Sequence, residues 1–325
     1  MRSSRFTLTQ SSGVRIPLLP LLIAFFLVSV SSVAQEQNKT TFKNEILNGR
    51  VGSLDQRIYK VNKETDDTTL NHNIKYLFNA IGQLIERSGL GQKTLYSYNS
   101  FNKISQVKVC NELADNCTIN DYLYDVNGNL IVHKQTLPKS TSNTTVYFEW
   151  FLSEYSYDQN NNLIKEKKYS KRVDDKNETL VEHIVYEYDS LGNKNTETEL
   201  NQSGIPLKKT EYKYNESGLT ETSTWENFEG EDLYSSTFYS YNSNGTISSK
   251  TTLIFDYGSK EKVASESFTS FTYEYDVKGN LIKKTEASLN DTVIVFEEYD
   301  TFGNWQKMIK QNQKEIEIEI RKLKY

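Results

Sequence analysis

Tyr273-Glu274-Tyr275-Asp276-Val277-Lys278-Gly279-Asn280-Leu281-Ile282 decides the fold, because eight other segments of the chain repeat its pattern. A type I turn asks for Asp at its first position, where the carboxylate bonds the backbone two residues on, and for Gly at its fourth. Asp276 and Gly279 supply both. With Gly279 in the left-handed region the turn becomes a three-residue hairpin loop with a G1 bulge, closed by Asp276 and Asn280. Tyr273 and Tyr275 then share a strand face with Leu281 across the ladder.

The second aromatic position of the pattern falls at Phe78, Tyr98, Tyr124, Tyr157, Tyr188, Tyr214, Tyr241, Tyr275 and Tyr299, with successive copies 20 to 34 residues apart. Such a period marks a repeat architecture. Every copy continues with Asp or Asn, and three residues later stands Gly, or Asn at Asn102 and Asn161. Asn is tolerant of positive φ, so even the exceptions obey the turn chemistry. The repeat-turn residues include Asp125 with Gly128, Asp189 with Gly192, Asp276 with Gly279, and Asp300 with Gly303. Further turn signals such as Asn201-Gln202-Ser203-Gly204 alternate with the motif, and Thr, Tyr, Val and Ile fill the segments between. The pattern predicts an all-β, repetitive antiparallel hairpin meander, an elongated or curled sheet. Ile316-Glu317-Ile318-Glu319-Ile320 predicts a half-buried terminal strand whose Glu315, Glu317 and Glu319 face is solvated.

Aromatic-x-aromatic-Asp-x-x-Gly-Asn-Leu resembles the YD repeat of the Rhs family, bacterial relatives of the teneurin shell. The resemblance covers about residues 71 to 310 and is specific through its nine copies. It implies a YD-repeat strip of hairpins that spirals toward a hollow shell and serves encapsulation, surface display or partner binding. This would be a short version, without the autoproteolytic or toxin segments.

Residues 1–34 read as a signal peptide: Arg2, Arg5 and Arg15 form the basic region, Ile16–Val30 the apolar region, and Ser32-Val33-Ala34 the cleavage site. An uncleaved anchor is the alternative. Residues 35–70 would be a leader or cap, and 71–325 the repeat domain. The whole chain carries a net charge of −5, and losing three Arg makes it more acidic, which disfavours nucleic acid or anionic membrane surfaces as partners. Hydrophobic residues make up 36%, so the 22 Tyr and 15 Phe must do much of the packing.

Cys110 and Cys117 are the only cysteines, and in an exported chain they read as a disulfide rather than two free thiols. His72, His133 and His183 are scattered, in no zinc-ligand spacing. No Gly-x-Ser-x-Gly nominates a nucleophile. The oxygens of Asp125–Asn129 suit calcium, yet turn capping explains the Asp more simply. No catalytic, metal or cofactor residues are therefore expected. Tyr122, Tyr155, Tyr186, Tyr212, Tyr239 and Tyr273 form a stripe that is either the sheet's own core or a surface for stacking ligands such as sugars.

The expected function is a non-enzymatic structural or interaction module, secreted or periplasmic, meeting a protein or glycan at the cell surface. A glycan-binding module is the second reading and an outer-membrane β-barrel the third. Counting back from Tyr325 by twos gives Leu323, Arg321, Glu319 and Glu317. Those charges on a lipid face argue against stable membrane insertion. Gly279→Val should destabilise its hairpin in a denaturant titration, whereas Asp276→Asn, a residue that sister copies already use, should leave the midpoint nearly unmoved.

Overall fold

The computed structural model describes residues 39–42, 45–113, 116–138, 148–227, 234–256, 262–288 and 291–325; the expected signal peptide lies outside them. All regular structure there is strand: β1 (Lys39–Phe42), β2 (Glu45–Asn48), β3 (Ser53–Val61), β4 (Thr68–Phe78), β5 (Leu84–Gly89), β6 (Gln92–Tyr98), β7 (Ile104–Asn111), β8 (Asn116–Tyr124), β9 (Leu130–Thr136), β10 (Phe148–Tyr157) and β11 (Leu163–Arg172). The order continues with β12 (Thr179–Tyr188), β13 (Lys194–Leu200), β14 (Pro206–Tyr214), β15 (Thr220–Asn227), β16 (Tyr234–Tyr241), β17 (Ile247–Phe255), β18 (Val263–Tyr275), β19 (Leu281–Ala287), β20 (Thr292–Tyr299), β21 (Trp305–Gln311) and β22 (Ile316–Lys324).

Strands β1 and β2 form a hairpin of their own, while β3 to β22 follow one another in meander order and β22 returns to β3, a closed barrel of twenty strands. The seam is long: β22 pairs antiparallel with β3 from Ile316↔Val61 to Lys324↔Ser53. The expected all-β antiparallel meander is therefore present, and its sheet, expected to be elongated or curled, is closed. The residues that close it lie outside the repeat, and β3 falls within the stretch read as leader or cap. Closure leaves the twenty-stranded sheet without an unpaired edge. Glu319 is only 7% exposed and Arg321 4%, so the face expected to be solvated is buried at those positions.

The described residues divide into two compact units, those up to Cys117 with those from Thr272 to Tyr325, and those from Thr118 to Phe271. In the first, Leu47, Val51, Leu54, Ile74, Tyr76 and Phe78 form a buried cluster with Leu84 and Leu323 packed against it. The end of β2 is latched onto the last motif turn. Asn304 accepts from the Asn48 backbone N–H at 2.7 Å and donates to its carbonyl at 2.8 Å. Gly49 has φ +86°, and a Cβ there would meet the Tyr325 ring at 2.7 Å, so this close approach requires glycine. Cys110 and Cys117 form a disulfide between β7 and β8.

One feature recurs in both units and explains why the motif prefers Tyr over Phe at its second aromatic position. The β9–β10 ladder stops at Val132↔Glu154, leaving the Leu130 carbonyl beyond the last pair. Tyr157 Oη donates to that carbonyl at 2.9 Å. Likewise β11–β12 stops at Lys165↔Val185 and Tyr188 Oη reaches the Leu163 carbonyl at 2.8 Å. Tyr98 does the same to Leu84 at 2.7 Å, Tyr214 to Lys194 at 2.7 Å, and Tyr241 to Thr220 at 2.6 Å. The hydroxyl stands in for a missing backbone donor and ties these hairpins to the ones before them. Phe78 is the informative exception. The β3–β4 ladder runs to Ser53↔Leu77, and the Phe78 N–H itself donates to Gly52 O at 2.9 Å, so no hydroxyl is needed. Tyr188→Phe should lower the unfolding free energy by about 0.5–1.5 kcal/mol in equilibrium denaturation, the range for one hydrogen bond, while Phe78→Tyr should give no gain.

Candidate functional site

Alternation along the strands gives the sheet two chemically different faces, and the predicted residues divide between turns and one of these faces. In the second unit Tyr122, Tyr155, Tyr186, Tyr212 and Tyr239 share a face with Asn120, His133, Ser153, Glu166, Glu197 and Thr237, as the pair registers require. Asn120, Ser153, Ser170, Tyr186 and Thr237 are buried there. Tyr122 stacks on His133 with ring centroids 4.6 Å apart. Tyr186 donates to Glu166 Oε2 at 3.3 Å. Lys194 pairs with Glu197 at 2.6 Å and lies over both the Tyr186 and Tyr212 rings, 5.3 and 4.7 Å from their centroids. Tyr155, Tyr239 and, in the first unit, Tyr273 are half-buried. The stripe is thus a packed polar-aromatic face whose best-defined rings already engage side chains of this chain.

The turn residues sit where their chemistry puts them. In the opening motif the Asp276 N–H donates to Asn280 O at 2.9 Å, and Gly279 N–H to Asp276 O at 3.0 Å. Gly279 has φ 84°, and Asn102 and Asn161 take 60° and 63° at the same turn position. The Asn after the Gly completes the device: Asn280 donates its backbone N–H to Asp276 Oδ1 and its amide to Oδ2, both at 2.8 Å. Asn129, Asn162 and Asn193 hold Asp125, Asp158 and Asp189 in the same way. These donors hold the carboxyls of Asp158, Asp189 and Asp276 below the ordinary range; at Asp189 and Asp276 the following Asn amide is the largest cause, at Asp158 the Asn162 backbone N–H. A carboxylate so fully occupied by its own turn has little to offer a metal. Among the described residues no group of three or more His, Cys, Asp or Glu is placed to hold one.

On the opposite face the first unit carries an apolar row that sequence reading did not assemble, because its members come from five strands. Leu70 pairs with Tyr59, Tyr59 with Ile318, Ile318 with Ile309, and Ile309 with Val295. Leu70 is 54% exposed. The charges Glu319 and Arg321 point the other way. Arg321 Nε donates to Glu319 Oε1 at 3.0 Å and its guanidinium lies 3.5 Å from the Trp305 ring centroid, while Gln56 donates to the same Glu319 oxygen. In the second unit the face opposite the tyrosines is mixed, with Trp150, Leu152, Tyr169 and Val185 beside Lys165, Lys167, Lys209, Glu211 and Lys213.

No family model matches the chain, and no curated protein does. Among solved structures, a porin-like protein from Bacteroides uniformis ATCC 8492 is 10% identical with a TM-score of 0.34, over 84% of this chain and 96% of that one. A porin-like protein from Bacteroides vulgatus ATCC 8482 is 9% identical with a TM-score of 0.32, over 85% and 98%. The structure of TcdB2-TccC3-TEV is 10% identical with a TM-score of 0.31, over 86% of this chain, which spans 19% of that one. The Rhs resemblance is therefore corrected: no family model supports it, and the chains matched over nearly their whole length are porin-like. The reading as a secreted YD-repeat module without membrane insertion is corrected with it. Likeness at these TM-scores goes no further than shared β architecture, so inference about function rests on this chain's own closed sheet and its two faces.

The turns give a pH signature. A carboxyl whose folded pKa lies below its unfolded value near 3.9 contributes stability that is present above that value and is lost as pH falls through the folded one. Asn193→Ala should move the Asp189 carboxyl back up toward the ordinary range, seen by carbon-detected NMR titration, and shift acid unfolding to higher pH.

Proposed function

We propose that the chain is an exported β-barrel of the outer membrane. The closed, even-numbered antiparallel meander carries this reading. In hydrocarbon every backbone polar group must be satisfied within the protein, and a sheet achieves this only by closing on itself. The seam between β22 and β3 provides that closure. Nine motif connections of constant length at one end of the meander suit the short turns such barrels have on one side of the membrane. Strand length also supports it: β10, β11 and β12 have ten residues each, near what a tilted strand needs to span, although β5 has six and β18 thirteen.

The objection drawn from Arg321 and Glu319 falls away, since both are buried on the face opposite the Leu70–Tyr59–Ile318–Ile309–Val295 row. That row is the natural lipid contact. The proposal makes a demand on the second unit: Lys165, Lys167, Lys209, Glu211 and Lys213 must snorkel or sit beyond the hydrocarbon, because a Lys at the midplane costs about 2–4 kcal/mol. Fractionation tests the reading directly. The chain should stay with outer membranes through high salt and alkaline carbonate and come off in detergent. Recovery in the soluble fraction without detergent would overturn it. Within a membrane-retained chain, Ile318→Asp should lower retention sharply, and Glu319→Gln, on the other face, should not.

A further inference from the structure

Trp150 stands in a setting unlike that of the other two tryptophans. Trp305 lies beneath the Arg321 guanidinium, and Trp225 pairs with Thr210 on the tyrosine face of the second unit. Trp150 lies on the opposite face, near the end of β10 away from the motif turn. Its cross-strand neighbours are Lys171 on β11 and Thr136 on β9. One step along the strand on the same face, Leu152 pairs with Tyr169 on one side and Lys134 on the other. Lys134 is exposed, and its Nζ lies 5.3 Å from the Trp150 ring centroid. The alternate residues Ser153 and Ser170 are buried, which fixes the face. Lys171 donates to the Asp175 carbonyl at 2.5 Å and lies 3.9 Å from Glu149, both partners at the surface.

Two amphipathic rings, one aliphatic side chain and two ammonium groups on one half-exposed patch match a particular environment. Rings of this kind settle where hydrocarbon meets headgroup, with the apolar body inward and the polar edge in the hydrated layer. Long Lys side chains reach from the same level to anionic phosphate. We propose that Trp150, Leu152 and Tyr169, with Lys134 and Lys171, form an interfacial anchor for phospholipid headgroups. The anchor sets the end of β10 away from the motif turn at the membrane surface. This rests on the outer-membrane reading and deepens it, since it names the headgroup contact and the direction of these strands relative to the bilayer.

Tryptophan emission reads the depth. The full chain is mixed with phosphatidylcholine–phosphatidylglycerol vesicles whose acyl chains carry bromine either near the headgroup or near the chain end, then floated and its fluorescence compared. In the Trp225→Phe/Trp305→Phe variant, Trp150 emission should shift to the blue and lose most of its intensity to shallow bromine, and less to deep bromine. Because Trp305 packs against Arg321, the double variant risks misfolding, so Trp150→Phe in the native background gives the same readout by difference: it should remove the shallow-quenched component. Lys134→Gln should reduce the advantage of anionic over zwitterionic vesicles. A chain that floats with vesicles but keeps an unquenched Trp150, or one quenched more by deep bromine, overturns the anchor and leaves the membrane reading standing. A chain that does not float overturns both.

Discussion

A tyrosine hydroxyl on a neighbouring hairpin's carbonyl is the contact on which the repeat depends. Each hairpin is locally sound, since Asp, Gly and Asn close its turn. Local soundness does not join one hairpin to the next: the ladders between successive hairpins, such as β9–β10 and β11–β12, stop short of the motif end. The carbonyls of Leu130 and Leu163 would be left without a donor there, and an unsatisfied backbone acceptor is costly wherever water is excluded. Tyr157 and Tyr188 complete these ladders from the side chain. The same ring covers the adjoining sheet surface, so one residue type supplies both hydrogen bonding and most of the apolar area that an aliphatic-poor chain lacks.

That contact also sorts the two faces. Once the motif tyrosines must reach back to the preceding hairpin, their face becomes the packed one, and the polar groups that alternate with them must find partners there. The second unit shows the outcome in the Lys194–Glu197 pair beneath Tyr186 and Tyr212. The first unit shows it in Gln56, Glu319 and Arg321 beside Trp305. A buried ion pair of this sort adds little net stability, but removing one partner would leave a desolvated charge, so it fixes which way β22 can face. With Glu319 and Arg321 committed to that side, Ile316, Ile318 and Ile320 are obliged to face the other.

Much of the hairpin was legible in the sequence because it is local. Asp276, Gly279 and Asn280 lie within one turn, and their spacing carries the chemistry. The tyrosine contact was legible only in part: the preference for Tyr at the second aromatic position, broken at Phe78, is visible in the string, yet its meaning depends on where each inter-hairpin ladder ends. The face of Glu319 was misread for a related reason. Alternation separates two faces but does not say which one is buried, and with Ile on one and Glu on the other hydrophobicity favoured the wrong answer. Trp305, Gln56 and Tyr76 settle the matter, and they come from distant parts of the chain.

Closure was the least legible feature, and it has the largest consequence. Nine similar hairpins placed side by side would give an open strip with two edges, and nothing within the repeat states how many copies should precede a return. The answer lies in the strands that do not repeat. β3 and β22 are nine residues each and pair along their full length, and the seam ends where Gly52 N–H donates to Lys324 O at 2.7 Å. Just beyond it Asn304 grips the Asn48 backbone and Tyr325 covers Gly49. The last motif turn therefore has a second use, because its Asn amide holds the segment leading into β3 as well as its own Asp. A copy of the turn already present for local reasons has become the clasp of the seam, so the step from repeat to closed barrel needed two extra strands and one further use of an existing asparagine.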